Sequence, residues 1–556
     1  DSQKNEVERW NDFKGEFNRA YKIPNTLTSI GSKILNEVIW NNSNHQFYSS
    51  KEVQKIKGFY GKFYKRNIHN PKLEWWLMLG YKLPFRPNYG DETTTDGRGK
   101  SNYIGTSSNR TPFQYVEDNL PLIKKTYYGG RNEQLFYGVT PIDEYFDYDL
   151  VSAYPSAMMT IGLIDWDHPI DYFKDGKPNL DIITDFENYV SYFHIKSFKF
   201  PKDVNYPTIP IRNVQKNGII FPIEGNEHNE TEFTESGTYI NGVEIHMALE
   251  LGAEIELGRG IVFPMDRSIR PYEKFIQHTI KERRIGEKDK NEFIKLFWKE
   301  IMNSLYGKTA MGVSEKKVFN IQTEKSVTMG EDKITSYPIV SIVTSLVRSM
   351  LGMMMNNIKK MDENYFIGNV TTDGFTTNFP NDEQMWKKIC NGKLFNVWKE
   401  GRDKVENLQI ENILEDEQNK KNIIETKHSI SQYFGFRTRG QSTLRLDKET
   451  DSIVDQNKSD NLMVALGNHR TPSKDETNSN VQSVWWFCNR FNGMKFNSDY
   501  FKGIRLMLKE NSDSVKVSQL RRVSMDFDFK RMPIEDSMKD VEVEYIDVMD
   551  EMKFGY

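Results

Sequence analysis

The sequence predicts an α+β protein of several domains, and three stretches of its 556 residues carry that prediction. Tyr365 to Phe379 reads as a hairpin, because Phe366, Val370, Phe375 and Thr377 alternate on either side of Asp373-Gly374, a pair that accepts the positive φ angles of a type I′ turn. Glu144 to Val151 alternates like a strand and then breaks at Pro155, so Asp149 stands near a strand end with Tyr154 just beyond it. Arg270 to Lys308 is the clearest helical signal, two helices broken near Gly286, the second closed by Gly307.

The length allows three or more domains, and 37% hydrophobic residues can supply a core. Lys and Arg number 75 against 79 Asp and Glu, so net charge neither announces nor excludes nucleic acid and local patches must decide. Cys390 and Cys488 are the only cysteines; they build neither a disulfide framework nor a cysteine-rich zinc site, and a reducing compartment such as a bacterial cytoplasm is expected. Ile339 to Met355 is the most apolar run, but it contains Arg348 with several Ser and Thr. It therefore reads as a buried helix, with no membrane partner. No signal segment is visible, and a start at Asp1 in place of Met reads as a fragment or processed product.

In chain order, Val7 to Tyr21 and Lys51 to Tyr64 look helical, and Asn88 to Arg110 looks like a loop. Its adjacent Asp91 and Glu92 point to different sides of an extended chain, which argues against a shared metal. Tyr127-Tyr128-Gly129-Gly130-Arg131 is a paired-glycine loop that can approach a phosphate chain, with Arg131 adding charge. Short strands are expected at Tyr192 to Phe200 and Gly237 to Ile240, and a helix at Gly242 to Leu251. On the second helix of the pair, Lys295, Lys299, Asn303 and Tyr306 share one face. Lys399 to Lys427 is charged and reads as an exposed insertion or linker. Phe434 to Arg445 mixes Arg, Gly and aromatics in a way that suits a phosphate backbone. A polar connector, Asn457 to Asn480, the Trp485-Trp486 pair and an acidic tail, Glu535 to Glu551, complete the chain.

Asp149, the Lys299 helix face and Asp373 together resemble family B DNA polymerases, most closely the protein-primed branch of phages, linear plasmids and mobile elements. Asp149 to Ser156, DLVSAYPS, resembles the family's D-x-x-S-L-Y-P, with Ala153 where Leu is usual. Lys299 to Gly307 matches K-x-x-x-N-S-L-Y-G in full, Thr371-Thr372-Asp373-Gly374 stands where the family has D-T-D-S, and Tyr127 to Gly130 is similar to Y-x-G-G. The resemblance spans roughly residues 120 to 380.

It implies a right-hand polymerase with palm, fingers and thumb. It also implies nucleotidyl transfer from dNTPs to a 3′ hydroxyl on a DNA primer-template, with two Mg²⁺ ions or Mn²⁺ in their place. Asp149 and Asp373 would be the metal acids, with the carbonyl of Leu150 as a further ligand. Lys299 would contact the triphosphate beside Ser152, and Asn303 and Tyr306 would line the base-pair pocket. Tyr154 would be the steric gate that excludes a ribose 2′ hydroxyl. Tyr127, Gly129, Gly130, Arg131, Gly307, Arg437 and Arg439 would meet DNA. The family's K-x-Y motif is missing, and Arg437-Thr438-Arg439-Gly440 is its stand-in.

Two other departures matter. Thr371 removes one hairpin acid, and the residues before Tyr127 are too few for a complete 3′→5′ exonuclease, so proofreading is absent or lies before Asp1. The implied domains are an N-terminal region (1–126), palm with an insertion (127–267), fingers (268–310), palm with a second insertion and the metal hairpin (311–395), thumb (396–470) and a C-terminal extension (471–556). Val318 to Ser336 would be a hairpin around template and product. A monomer is expected, with a terminal priming protein as partner unless initiation is primer-independent. The alternative is a polymerase fold that binds DNA without synthesis.

Overall fold

The structure is a computed structural model. It describes residues 116–445 apart from 117, 167, 172–178, 214–217, 227–236, 269, 314–316, 321–324, 329–334, 408, 416–421 and 439, together with 495–501, 507–509 and 516–522. The two early helices, the loop at 88–110, the polar connector, Trp485-Trp486, the acidic tail and Arg439 lie outside the described residues.

Strands and helices mix as an α+β fold around a five-stranded sheet. Its order is Arg131–Gln134, Ile367–Thr372, Gly374–Thr377, Tyr145–Leu150 and Ile424–Ile430, every neighbouring pair antiparallel. The two-residue period of the Tyr145–Leu150 strand sends Phe146, Tyr148 and Leu150 to one face and Asp147 and Asp149 to the other. Tyr148 meets the Trp386 ring edge-on at 4.9 Å and donates its hydroxyl to the Phe379 carbonyl at 3.0 Å. That face anchors the sheet, which leaves the carboxylates on the opposite one.

A second, six-stranded sheet is built on the long antiparallel pair Tyr189–Lys199 and Glu254–Asp266, with Thr238–Asn241 at one edge. The Gly242–Glu250 helix leaves that edge through a capping box, Asn241 receiving a backbone N–H while Glu244 accepts from the Asn241 N–H.

The Tyr337–Met361 helix runs through the interior against the helices Leu120–Lys125, Ala153–Met159, Gly242–Glu250 and Gly392–Glu406. It is long and apolar enough to cross a membrane, yet its most apolar window is wholly buried by the fold. Thr344 Oγ1 turns back on the helix to the Val340 carbonyl at 2.9 Å, whereas Ser341 Oγ donates across to the Thr126 carbonyl at 3.0 Å.

Several expectations need correction. The helices Glu273–Lys288 and Glu292–Thr309 break at Lys290, which has φ +52°, and not at Gly286. Gly286 lies inside the first helix because a Cβ there would sit 2.7 Å from the Lys295 nitrogen, so it permits the close approach of the two helices. Gly307 does not cap the second helix, which continues to Thr309. The hairpin's left-handed residue is Thr372, at φ +65°, with neither Asp373 nor Gly374 at positive φ; the turn is therefore not type I′. The strand ends at Leu150, before Pro155 as expected, and Pro155 itself lies in the first turn of the Ala153–Met159 helix, a tolerated position.

Nor is Lys399 to Lys427 an exposed insertion. Arg402 is buried on Glu406 and the Asn422 carbonyl, and the chain then enters the central sheet as Ile424–Ile430. Within the region expected to be the thumb (396–470), Ile424–Ile430 supplies an edge strand beside Asp149. Lys317–Asn320 and Lys325–Thr328 pair antiparallel, overlapping the start of the segment from Val318 to Ser336.

Candidate active site

Asp149 and Asp373 meet at the end of the central sheet. Gly374 pairs directly with Asp149, and the Leu150 N–H donates to the Asp373 carbonyl at 2.9 Å. A Cβ on Gly374 would lie 1.8 Å from Asp149 Oδ1, so the glycine serves close approach and not turn geometry. Burial pushes the Asp149 carboxyl up to about 8, with the Asp373 charge as the next cause. Asp373 is likewise raised by burial, against the pull of Lys427.

Strain flanks both acids. Ser152, three residues after Asp149, has φ +50°, and Thr372, one residue before Asp373, is a β-branched residue at positive φ. The Asp373 N–H donates to the Thr371 carbonyl at 2.7 Å, a tight turn centred on Thr372. Non-glycine residues in such conformations collect at functional sites.

The paired-glycine loop is docked on this strained tip. Gly130 approaches Thr372, Thr372 Oγ1 donates to Asn132 Oδ1 at 3.1 Å, and Asn132 Nδ2 donates to the Gly130 carbonyl at 3.0 Å. Behind the loop, Arg348 Nη1 donates to the carbonyls of Tyr128 (2.7 Å) and Gly129 (2.8 Å). Its Nη2 reaches Glu244 Oε1 (2.6 Å) and Ser345 (2.9 Å). Sequence reasoning noticed Arg348 only as too polar for a membrane and missed that it holds this loop.

Tyr154 and Tyr306 stack with centroids 4.1 Å apart and planes at 17°. Burial raises both phenols, so both stay neutral. This stack joins the helix after Asp149 to the Glu292–Thr309 helix, whose Lys299 and Asn303 are exposed. Gly129 and Gly307 have open space where a Cβ would project, and Tyr127 is half-buried. The Ser152 hydroxyl makes no capping bond to its helix. Arg437 ends the Gln432–Arg437 strand at a hairpin turn.

Arg131 does not reach a surface where DNA can lie. It is 2% exposed, ion-paired with Glu133, donates to the Pro207 carbonyl at 3.0 Å and lies 4.1 Å over the Phe221 ring. Its charge is consumed by the core.

Two residues of the Ile424–Ile430 strand were missed. Lys427 Nζ lies 3.9 Å from Asp149 Oδ2 and contacts Glu425. Burial depresses this ammonium, but Glu425, Asp149 and Asp373 reverse the effect and raise it. His428 Nδ1 lies 3.0 Å from Asp147 Oδ2, two residue pairs behind Asp149. Among the described residues no three His, Cys, Asp or Glu side chains converge as a ready-made metal cluster. The donors at Asp149 and Asp373 are hard carboxylate oxygens in negative excess, a set that fits Mg²⁺.

The family of DNA polymerase type B, organellar and viral, matches residues 115–387. The primer-independent DNA polymerase PolB of Escherichia coli is 29% identical over 438 residues, covering 77% of this chain and 44% of the relative, so the chain spans under half of that relative's length. Among solved structures, Phi29 DNA polymerase with primer-template DNA and incoming nucleotides is 12% identical, covers 74% of this chain and 63% of its own, and has a TM-score of 0.47. A family B polymerase of Pyrobaculum calidifontis is 10% identical, with coverage of 77% and 46% and a TM-score of 0.24. The type B match encloses Tyr127 to Gly130, Asp149, Lys299 to Gly307 and Asp373, so these residues lie in a region similar to the organellar and viral type B DNA polymerases.

Proposed function

We propose that the chain is a template-directed DNA polymerase that extends a 3′ hydroxyl on a DNA primer-template by two-metal nucleotidyl transfer. The observation that carries this reading is the junction of Asp149 with the Asp373 hairpin, two carboxylates brought together across a glycine that leaves no room for a side chain. When bound there, Mg²⁺ would lower the pKa of the primer hydroxyl and stabilise charge on the reacting phosphate.

Asp149 and Asp373 would hold the ions, with the Leu150 carbonyl as a neutral ligand. Lys299, exposed on its helix, supplies positive charge to the triphosphate and can give a proton to the departing pyrophosphate. Ser152 stands beside the phosphates. Tyr154, braced by Tyr306, presents a ring edge to the sugar, and Asn303 with Tyr306 borders the base pair. The open space at Gly129 and Gly307 lets a sugar-phosphate backbone or base pair pass close to the main chain.

In this reading the central sheet is the palm and now includes Ile424–Ile430, and the Glu273–Lys288 and Glu292–Thr309 helices are the fingers. The hairpin at 317–328 is the second insertion. Initiation without a primer is favoured by the similarity to the primer-independent DNA polymerase PolB of Escherichia coli.

Primer extension with Mg²⁺ tests the chemistry. Wild type should extend, while Asp149→Ala and Asp373→Ala should not; extension that persists in either variant overturns the assignment, and none in wild type favours a DNA-binding protein. A single-stranded circular template with dNTPs alone tests initiation, where product supports primer independence and dependence on a protein hydroxyl supports a terminal protein.

A further inference from the structure

The residue row that crosses the central sheet at Asp149 holds an acid that no motif announces. From one edge to the other its direct partners are Asn132, Thr371, Gly374, Asp149 and Glu425. Directly opposed residues on antiparallel strands project to the same face. With strands about 4.8 Å apart, position 371 lies two strands from Asp149, whereas Glu425 lies one strand away on the other flank.

Lys427 follows on the same strand. It is the extra residue of a bulge between Thr426 and His428, a device that re-aims a side chain and recurs beside active sites. Its ammonium lies between Glu425 and Asp149, touching the first and 3.9 Å from the second. Side-chain exposures of 41% for Lys427 and 28% for both acids leave this group open to ions from solvent.

Building on the polymerase reading, we propose that Glu425 is a third carboxylate of the cation centre, replacing the acid that Thr371 lacks, and that Lys427 occupies its place until a divalent ion displaces it. A single ammonium facing Asp149, Asp373 and Glu425 leaves the group short of positive charge. A hard divalent ion takes carboxylate oxygens directly as ligands, which an ammonium cannot match. The flexible Lys427 stem allows the ammonium to withdraw toward solvent, freeing the Glu425 carboxylate. Tethered on the same strand, it stays near enough to return when the ion leaves.

The test is Mn²⁺ binding to the full chain without DNA, read by electron paramagnetic resonance, for wild type, Glu425→Gln, Lys427→Met, Lys427→Arg and the Glu425→Gln/Lys427→Met pair. Glu425→Gln should weaken binding by about tenfold. Lys427→Met should tighten it by about threefold, and Lys427→Arg should restore the wild-type value. The pair should bind more weakly than Lys427→Met alone, since Glu425 then acts on the ion itself. Unchanged affinity in Glu425→Gln, weaker binding in Lys427→Met, or a pair equal to Lys427→Met overturns the proposal. Wild-type binding insensitive to Asp149→Ala and Asp373→Ala would instead overturn the polymerase reading beneath it.

Discussion

Arg348 and Lys427 each set a cation against acids, and the two places are built to opposite ends. Arg348 and Glu244 are 1% and 0% exposed, one charge against one, and the guanidinium also serves two carbonyls and a hydroxyl. Burial pushes the Glu244 carboxyl up, and Arg348 pulls it back. At Lys427 one ammonium faces Asp149 and Glu425, with Asp373 alongside. The first arrangement is balanced and acts as a strut under the paired-glycine loop. The second has a deficit of positive charge, which under the proposed function a divalent cation would fill. Burial of charge alone does not mark a function; imbalance does.

Four experiments sharpen or break this contrast. The largest effect should come from Asp149→Ala or Asp373→Ala. Either should lower primer-extension rates by at least about 1000-fold, since each tenfold costs only about 1.4 kcal/mol of barrier and a lost ion costs several. Folding stability should hold, because burial raises both carboxyls and neither stabilises the fold as a charge. A large loss of stability would make the pair a strut as well.

Next in size, Arg348→Leu leaves Glu244 buried without its partner and should cost about 3–5 kcal/mol in urea unfolding. A cost near zero would show that the balanced pair is not structural.

A smaller effect concerns pH. Because the Asp149 carboxyl stands at about 8 in the folded chain, above its ordinary 3.8, the folded state holds this proton more tightly than the unfolded state. Its contribution to stability therefore declines as pH rises from the unfolded value through about 8. Cation affinity must rise over the same window, by up to about tenfold per pH unit, because the ion replaces the proton. Mn²⁺ affinity that stays flat between pH 6 and 8 would contradict a protonated, cation-seeking Asp149.

The smallest effect should be Tyr154→Val, which removes the ring stacked on Tyr306. It should reduce discrimination against ribonucleotides by about tenfold or more in single-nucleotide incorporation, with modest loss of dNTP use. Unchanged discrimination would remove Tyr154 from the gate.

What the sequence made legible follows the range of each signal. Asp149, Lys299, Asn303, Tyr306 and Asp373 stand in local patterns whose spacing survives folding, and the strands around Asp149 and Asp373 announce themselves by alternation. The Ile424–Ile430 strand does not, because an edge strand carrying Glu425, Lys427 and His428 has the polarity of a linker. Lys427 depends on a bulge whose register is set by a strand far away in sequence. Arg131 misled for the same reason, since local charge suggests a phosphate while Phe221 and the Pro207 carbonyl, distant in the chain, consume it. Asp373-Gly374 suggested a turn, but the glycine answers Asp149, and Thr372 carries the positive φ.

The central claim is that Asp149 and Asp373 form a cation site in the folded chain, and its most direct measurement is the thermal unfolding of the protein with EDTA and with millimolar Mg²⁺. An ion that binds only the native state must raise the unfolding temperature. Wild type should show that rise and the Asp149→Ala/Asp373→Ala variant should not; an equal rise in both would contradict the claim.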